Sequence, residues 1–235
     1  MKVLSQRRRT LLITYEENYQ EVEYIESYGG AYVMLDGTIE IGDTIKFDIA
    51  FFDDNTRWSH HRFFGAVDDI NDVKRRCGVS LGGTNRTHME WQAGTEYANW
   101  DGAESLTTGS KYTCEIEIGE NYQHYAYLID NTVVDETTIT NPISDDVMPI
   151  NSPALFARTW NGVVATSDIY GLSGSTKKLC SLYKFEWFDK NGNYKKLLIP
   201  KYGKISGEIG LYDEINKKFY ENKGSKSFEK GADVL

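Results

Sequence analysis

Three stretches of the 235-residue sequence set a tryptophan beside hydrogen-bonding side chains in turn-like surroundings: Trp58-Ser59-His60-His61, Asn99-Trp100-Asp101 and Trp160-Asn161. An indole face next to amide, imidazole and carboxylate groups suits a sugar, whose ring stacks on the aromatic plane while its hydroxyls find polar partners. The candidate ligand-binding residues are therefore Trp58, His60, Asn99, Trp100, Asp101, Trp160 and Asn161. The competing account of each loop tryptophan is packing over the end of a sheet.

Acidic loop clusters offer a second chemistry. Asp53-Asp54-Asn55, Asp68-Asp69-Ile70-Asn71-Asp72 and Ser144-Asp145-Asp146 carry the carboxylates that calcium prefers, with Asp53, Asp54, Asp68 and Asp69 as the candidate ligands. Their spacing matches no calcium loop, so they also read as solvated turns, and no cofactor is required. His60-His61 does not make a zinc pair, because neighbours in a strand point to opposite faces. Cys77, Cys114 and Cys180 are an odd set without CxxC spacing and predict neither a disulfide framework nor a zinc site. Cys114 is in phase with Ile116 and Ile118 and reads as a buried thiol. No phosphate loop, catalytic triad spacing or nucleophile elbow is present.

The elements that must position these groups are strands. Sixteen Tyr, ten Phe and five Trp against four Pro favour a β protein. Ile45, Phe47, Ile49 and Phe51 alternate with Lys46 and Asp48, and Tyr183, Phe185 and Trp187 alternate with Lys184 and Glu186, the period of strands with one buried face. Asp36-Gly37, Asp130-Asn131, Asn161-Gly162 and Asn191-Gly192 mark chain reversals. Further strands are expected over 22–27, 31–35, 62–67, 78–81, 88–92, 112–118, 122–130, 132–135, 154–160 and 194–200, the last ended by Pro200. A long connection is expected over 137–153 and a loop over 166–178.

Charge is segregated. Residues 1–14 carry Lys2, Arg7, Arg8 and Arg9 and no acid; residues 15–176 hold nine basic against 27 acidic residues; residues 177–231 hold 13 lysines against seven acids. An acidic middle of this extent argues against nucleic-acid binding. The lysine-rich end reads as a solvated face, with docking to an acidic neighbour as the alternative. Residues 1–20 read as a basic arm in which Arg7, Arg8 and Arg9 serve assembly, and residues 21–235 as one domain. Leu11-Leu12-Ile13 is too short for a signal-peptide core or a membrane span, so neither is expected.

The final quarter carries a family likeness. Leu179 to Pro200, reading LCSLYKFEWFDKNGNYKKLLIP, followed by GEIGLYDEINKKFYENKG, resembles the C-terminal end of concanavalin A-like (laminin G-like) jelly-roll domains of tailed-phage structural proteins and gut-bacterial surface proteins. Val22-Glu23-Tyr24-Ile25-Glu26-Ser27 resembles the opening strand of the same family, and Phe64-Gly65-Ala66 is an island of likeness between them. The resemblance implies an all-β jelly-roll sandwich of two antiparallel sheets.

Function does not follow from such a fold alone. The resemblance also implies a test for glucanase activity, the run Glu-x-Asp-x-x-Glu that supplies nucleophile and acid/base. That run is expected to be absent; Glu115-Ile116-Glu117 and Glu186-Trp187-Phe188-Asp189 are its nearest approaches and are read as lacking the third carboxylate, and Glu115 and Glu117 read as the solvent face of a strand. The expectation is a non-enzymatic virion protein of a tailed phage, a capsid decoration or a tail-fibre or baseplate component, assembled in the host cytoplasm. Its partners would be other virion proteins and host or mucosal glycans, and it would be present in several copies. The alternatives are a carbohydrate-binding or glycoside-hydrolase-like bacterial surface protein and a purely architectural particle protein.

Overall fold

The computed structural model describes residues 18–52, 61–70, 73–81, 87–93, 96–101, 106–120, 122–140, 148–169 and 178–235. The candidates Arg7, Arg8, Arg9, Asp53, Asp54, Trp58 and His60 lie outside them. Among the described residues every regular element is a strand, and the strands form two sheets.

The longer sheet runs in the order β11 (Thr132–Ile139), β10 (Gln123–Ile129), β9 (Lys111–Ile118), β4 (Thr44–Phe51), β15 (Cys180–Phe188), β16 (Tyr194–Gly203), β17 (Ile209–Asp213) and β18 (Lys218–Tyr220). The short strands β1 (Tyr19–Glu21), β2 (Ile25–Ser27) and β19 (Glu229–Lys230) join it through β16 and β15. The second sheet runs β14 (Val163–Ile169), β13 (Ala157–Trp160), β5 (His61–Ile70), β6 (Val73–Leu81), β7 (Thr87–Ala93) and β8 (Glu96–Asp101), with β3 (Val33–Met34) and β12 (Ala154–Leu155) at its side.

Alternation decides which face of the long sheet turns inward. Ile45, Phe47 and Ile49 of β4, Cys114, Ile116 and Ile118 of β9, and Phe185 and Trp187 of β15 are all buried, while the residues between them point out. The second sheet meets them through Phe63, Phe64, Cys77 and Val79, with the Phe63 ring 4.8 Å from Phe47 and Phe64 5.8 Å from Phe185 between centroids. Gly65 and Gly78 face one another across β5 and β6. A Cβ on Gly65 would stand 2.7 Å from the Cys77 carbonyl oxygen, so the strands can approach this closely only with glycine there. Burial pushes the Cys77 thiol up to about 12 and Cys114 well above its usual range, and Cys180 is equally buried, so all three are inert packing groups.

Several expectations need correction. The strand expected over 154–160 breaks at Phe156, whose φ of 59° turns the chain so that β12 pairs antiparallel with β5 while β13 pairs parallel with it. The sheets are therefore not wholly antiparallel. Asn99, Trp100 and Asp101 sit in β8, opposite Glu90, Met89 and His88 of β7, and not in a loop. Residues 166–169 continue β14 where a loop is expected. Asn191-Gly192 belongs to a five-residue reversal, because the Asp189 carboxylate takes the backbone N–H groups of Asn191 and Asn193 and widens the turn. Pro200 does not end β16; its carbonyl accepts Val22 N–H and the strand runs on to Gly203. The sandwich also takes up the chain by Asn18, whose carbonyl accepts Lys204 N–H, so Tyr19 and Gln20 belong to the sheet and not to the arm.

The lysine-rich end turns out to be the partner of the acidic middle within the same chain. Lys178 binds Glu26, Lys195 binds Glu40 and Asp43, and Lys196 and Lys218 both bind Asp36. Among the described residues, these four lysines meet carboxylates of the middle, while Lys184, Lys201, Lys217, Lys223 and Lys230 pair with acids of the C-terminal part itself.

Candidate functional site

Outward-pointing residues of β4, β9, β10 and β15 cover the open face of the long sheet with a lattice of charge. Lys46 lies between Glu115 and Glu186 in register, and its Nζ is 2.7 Å from Glu115 Oε2. Lys111 reaches Asp48 at 3.2 Å, Thr113 donates to Asp48 at 2.8 Å, and His124 lies 3.2 Å from Glu136.

At one end of this face two hairpin loops rise and enclose an open cleft of about 810 Å³. Its floor is Thr44 and Lys46 of β4 with Glu115 and Glu117 of β9; one wall is the β9–β10 turn with Glu120 and Tyr122, the other the β15–β16 loop with Phe188, Asp189 and Lys190. The walls are fixed locally. Gly119 N–H donates to the Tyr122 carbonyl at 2.8 Å and closes the first turn. Asp189 closes the second, and the hydrogen bonds from Asn193 and Asn191 hold its carboxyl below the usual range. Gly42, at the rim, has φ 92° and lies so near Lys190 that a Cβ would stand 2.4 Å from the lysine Cβ.

The side chains of the cleft are of two kinds. Tyr122 and Phe188 supply aromatic surface on opposite walls, and Tyr194 braces Phe188 with ring centroids 4.5 Å apart. Between them, Glu115, Glu117, Glu120 and Asp189 outnumber Lys46 and Lys190. The Tyr122 hydroxyl donates to Glu117, and this bond to a carboxylate raises the phenol above its ordinary value. Lys46 neutralises Glu115 in the same way across the strands. Aromatic walls and carboxylate acceptors together suit a ligand with ring faces and many hydroxyls.

The sequence expectations map onto this site unevenly. Glu115 and Glu117 do occupy the outer face of a strand, yet they line the cleft. Reading them as a pair overlooks Glu120, which makes the run Glu115-Ile116-Glu117-Ile118-Gly119-Glu120 a Glu-x-Glu-x-x-Glu sequence, the glucanase pattern with Glu in place of Asp. Glu120 lies beyond the end of β9, exposed on the turn. The spacing was the available signal for it. Tyr122 and Phe188 had no signal, since in sequence each looks like an ordinary strand aromatic.

Among the described residues, the lining of the cleft includes neither Trp160 nor Asn161. Trp160 ends β13 and Asn161 opens the next turn with φ 49°, its Oδ1 accepting Asp69 N–H at 2.7 Å, so Asn161 serves the turn. The Arg158 guanidinium lies over the Trp160 ring at 6.0 Å. Among the calcium candidates, Asp68 is fully buried and accepts Ile150 N–H at 2.6 Å, Asn151 N–H at 3.0 Å and Asn151 Nδ2 at 2.6 Å. Its oxygens are taken up in fastening the incoming chain to β5. Among the described residues, no three His, Cys, Asp or Glu side chains gather as a metal site.

Two stacked sheets, with the sequence blocks at 22–27 and 179–231 forming the centre and edge of the longer one, are the architecture that the likeness implied. The fold is a concanavalin A-like sandwich. No protein-family model and no curated protein matches the chain. Among solved structures this sandwich is similar to mouse laminin alpha1 chain domains LG4-5, with 11% identity and a TM-score of 0.48, covering 76% of this chain and 44% of that one. It is also similar to the CBM40 of a Ruminococcus gnavus IT-sialidase bound to alpha2,3 sialyllactose, with 13% identity and a TM-score of 0.48 over 72% of this chain and 90% of that one. A Bacteroides ovatus mixed linkage glucan GH16 in complex with a product gives 12% identity and a TM-score of 0.41 over 67% and 73%. These likenesses concern the course of the chain and carry nothing about a ligand.

Proposed function

We propose that this sandwich is a non-enzymatic, lectin-like display domain that binds neutral glycans in the cleft between the β9–β10 turn and the β15–β16 loop. The observation that carries the reading is the pairing of Tyr122 and Phe188 on opposite walls with a floor of carboxylates between them. Carboxylates accept hydrogen bonds from sugar hydroxyls, and aromatic rings cover the C–H faces of a pyranose. The excess of carboxylate over lysine opposes an anionic sugar, because like charges at short range are costly. The domain would be carried on a tailed-phage particle through its basic N-terminal arm. That part of the proposal is supported by the resemblance of the blocks at 22–27 and 179–231 to jelly-roll domains of phage structural proteins and by the segregation of Arg7, Arg8 and Arg9 from an acidic domain.

A glycan array followed by calorimetry tests the binding. Neutral oligosaccharides should bind and their sialylated counterparts should not; a blank array on a protein that still coats particles would leave an architectural role. Deleting residues 1–14 should abolish particle incorporation while the sandwich keeps its melting temperature, and incorporation that survives the deletion removes the arm as anchor.

One observation favours a second reading. Glu115, Glu117 and Glu120 line one cleft in the order of a retaining glucanase motif, with Glu115 and Glu117 on the same face of β9. Against it stand Lys46 on Glu115, Tyr122 on Glu117, and the position of Glu120 past the strand. Release of reducing ends from β-glucans by the wild type, lost in both Glu115→Gln and Glu117→Gln, would replace the binding function with a hydrolase.

A further inference from the structure

The free edge of the long sheet has a composition that selects its partner. β11 is the terminal strand and, among the described residues, pairs only with β10. It is eight residues long, and near its start Val133 and Val134 are 46% and 39% exposed, followed by Asp135 and Glu136. An unpaired edge of this length, apolar and then acidic, is a template for an added strand.

Residues 1–17 carry a complementary order of residues. Arg7, Arg8 and Arg9 are followed by Thr10, Leu11, Leu12, Ile13 and Thr14, a basic triplet next to a run of β-forming apolar residues. β11 bulges at Val134, so that Val133 and Asp135 face consecutive residues of β10; with Leu11 set against Val133 of an antiparallel strand, Arg8 and Arg9 come alongside the Asp135–Glu136 stretch. A parallel strand with the same Leu11–Val133 pair would set Ile13 and Thr14, and no arginine, beside Asp135 and Glu136.

We infer that the arm of one copy adds as an antiparallel strand to the β11 edge of a second copy of this chain. The inference names a docking place for the arm; it rests on reading residues 1–17 as an assembly arm and not on glycan binding. The arm cannot serve its own edge as well. It leaves the fold at Asn18 beside Lys204, just past the end of β16, which is five strand spacings or about 24 Å from β11. Crossing that width takes about seven residues, and these would include Leu11, Leu12 and Ile13. They would lie over the charged face around Lys184, Asp48 and Lys111 instead of against Val133 and Val134. Direct pairing of β11 with β11 of another copy is opposed too, since it sets Asp135 and Glu136 of the two edges together.

Charge reversal tests the pairing on the purified full chain, away from any particle. In sedimentation velocity the wild type should associate. Arg8→Glu with Arg9→Glu, and Asp135→Arg with Glu136→Arg, should each sediment as folded monomers, and an equimolar mixture of the two variants should associate again. A separate pair, Leu11→Cys in one copy and Val133→Cys in another, should give disulfide-linked dimers on mixing. A wild type that is monomeric, a mixture that stays monomeric, or a Leu11→Cys/Val133→Cys chain that closes only within itself overturns the inference. Loss of particle incorporation without any change in self-association would keep the arm as an anchor and discard β11 as its receptor.

Discussion

Trp187 Nε1 donates to Asp43 Oδ2 at 2.8 Å in the buried interior, and this bond ties the central strand β15 to the start of β4. Asp43 also accepts Glu40 N–H at 2.9 Å and Lys195 Nζ at 2.9 Å, yet burial outweighs these donors and raises its carboxyl above the usual range. Trp187→Phe removes one donor and leaves a void beside a buried charge. The expected loss is about 3 kcal/mol at pH 7, a fall in Tm of roughly 6–12 °C. The loss should shrink near pH 3.5, where Asp43 is protonated and needs the donor less, so equal losses at both pH values would disprove the role of the charge.

Asp36 works in the opposite sense. Burial alone would raise its carboxyl, but hydrogen bonds from Lys196, Lys218 and Tyr220 outweigh burial and hold it well below the usual range. The folded value lies below the unfolded one, so the contribution to stability is present at neutral pH and is lost as pH falls from about 4 through the folded value. Asp36 is half exposed, and solvent screening keeps the effect small. Asp36→Asn should flatten the acid limb of a Tm-against-pH curve below pH 4 and leave its alkaline side parallel to wild type. An unchanged acid limb would place the acid sensitivity elsewhere.

These bonds show which part of the structure could be read from the chain. The strand alternation of β4 and of Phe185 to Trp187 in β15 was legible because one face is apolar, although a bulge at Tyr183 sets Leu182 and not Tyr183 in the core, and Asp130-Asn131 and Asn161-Gly162 form the expected tight turns with both residues at positive φ. β8, with the sequence EYANWD, and the later part of β14 lack such alternation, so their residues looked like loop. The lysine pairing was hidden for another reason. Lys195 and Asp43 are 152 positions apart, and Lys218 and Asp36 are 182 apart, so only the folded topology brings the opposite charges of the two segments together. The cleft was hidden because carboxylates on the outer face of a strand look like solubilising charge until two loops are raised on either side.

Gly65 provides a test of packing between β5 and β6. A methyl group there would press on the Cys77 carbonyl and on Gly78 Cα at 2.9 Å, both of them backbone and unable to move aside. Gly65→Ala should cost about 2 kcal/mol or more, while Gly192→Ala, where the same Cβ would meet nothing within 4 Å but φ is 78°, should cost about 1 kcal/mol. Chemical denaturation of the two variants measures the difference, and a milder effect at Gly65 would show that the strands can separate.

The cleft is tested at Tyr122, which bears on it through both its ring and its hydroxyl. The hydroxyl satisfies Glu117, whereas the ring forms a wall of the cleft. If a pyranose stacks on that wall, Tyr122→Ala removes about 1–2 kcal/mol of contact, and affinity for a neutral glycan should fall about tenfold. Tyr122→Phe keeps the wall and frees Glu117 to accept a sugar hydroxyl, so its affinity should stay within about threefold of wild type. Because the side chain lies at the surface, neither variant should alter Tm by more than about 3 °C. Equal losses in both variants would assign binding to the hydroxyl and not to the ring, and an undiminished Tyr122→Ala would place the glycan outside this cleft.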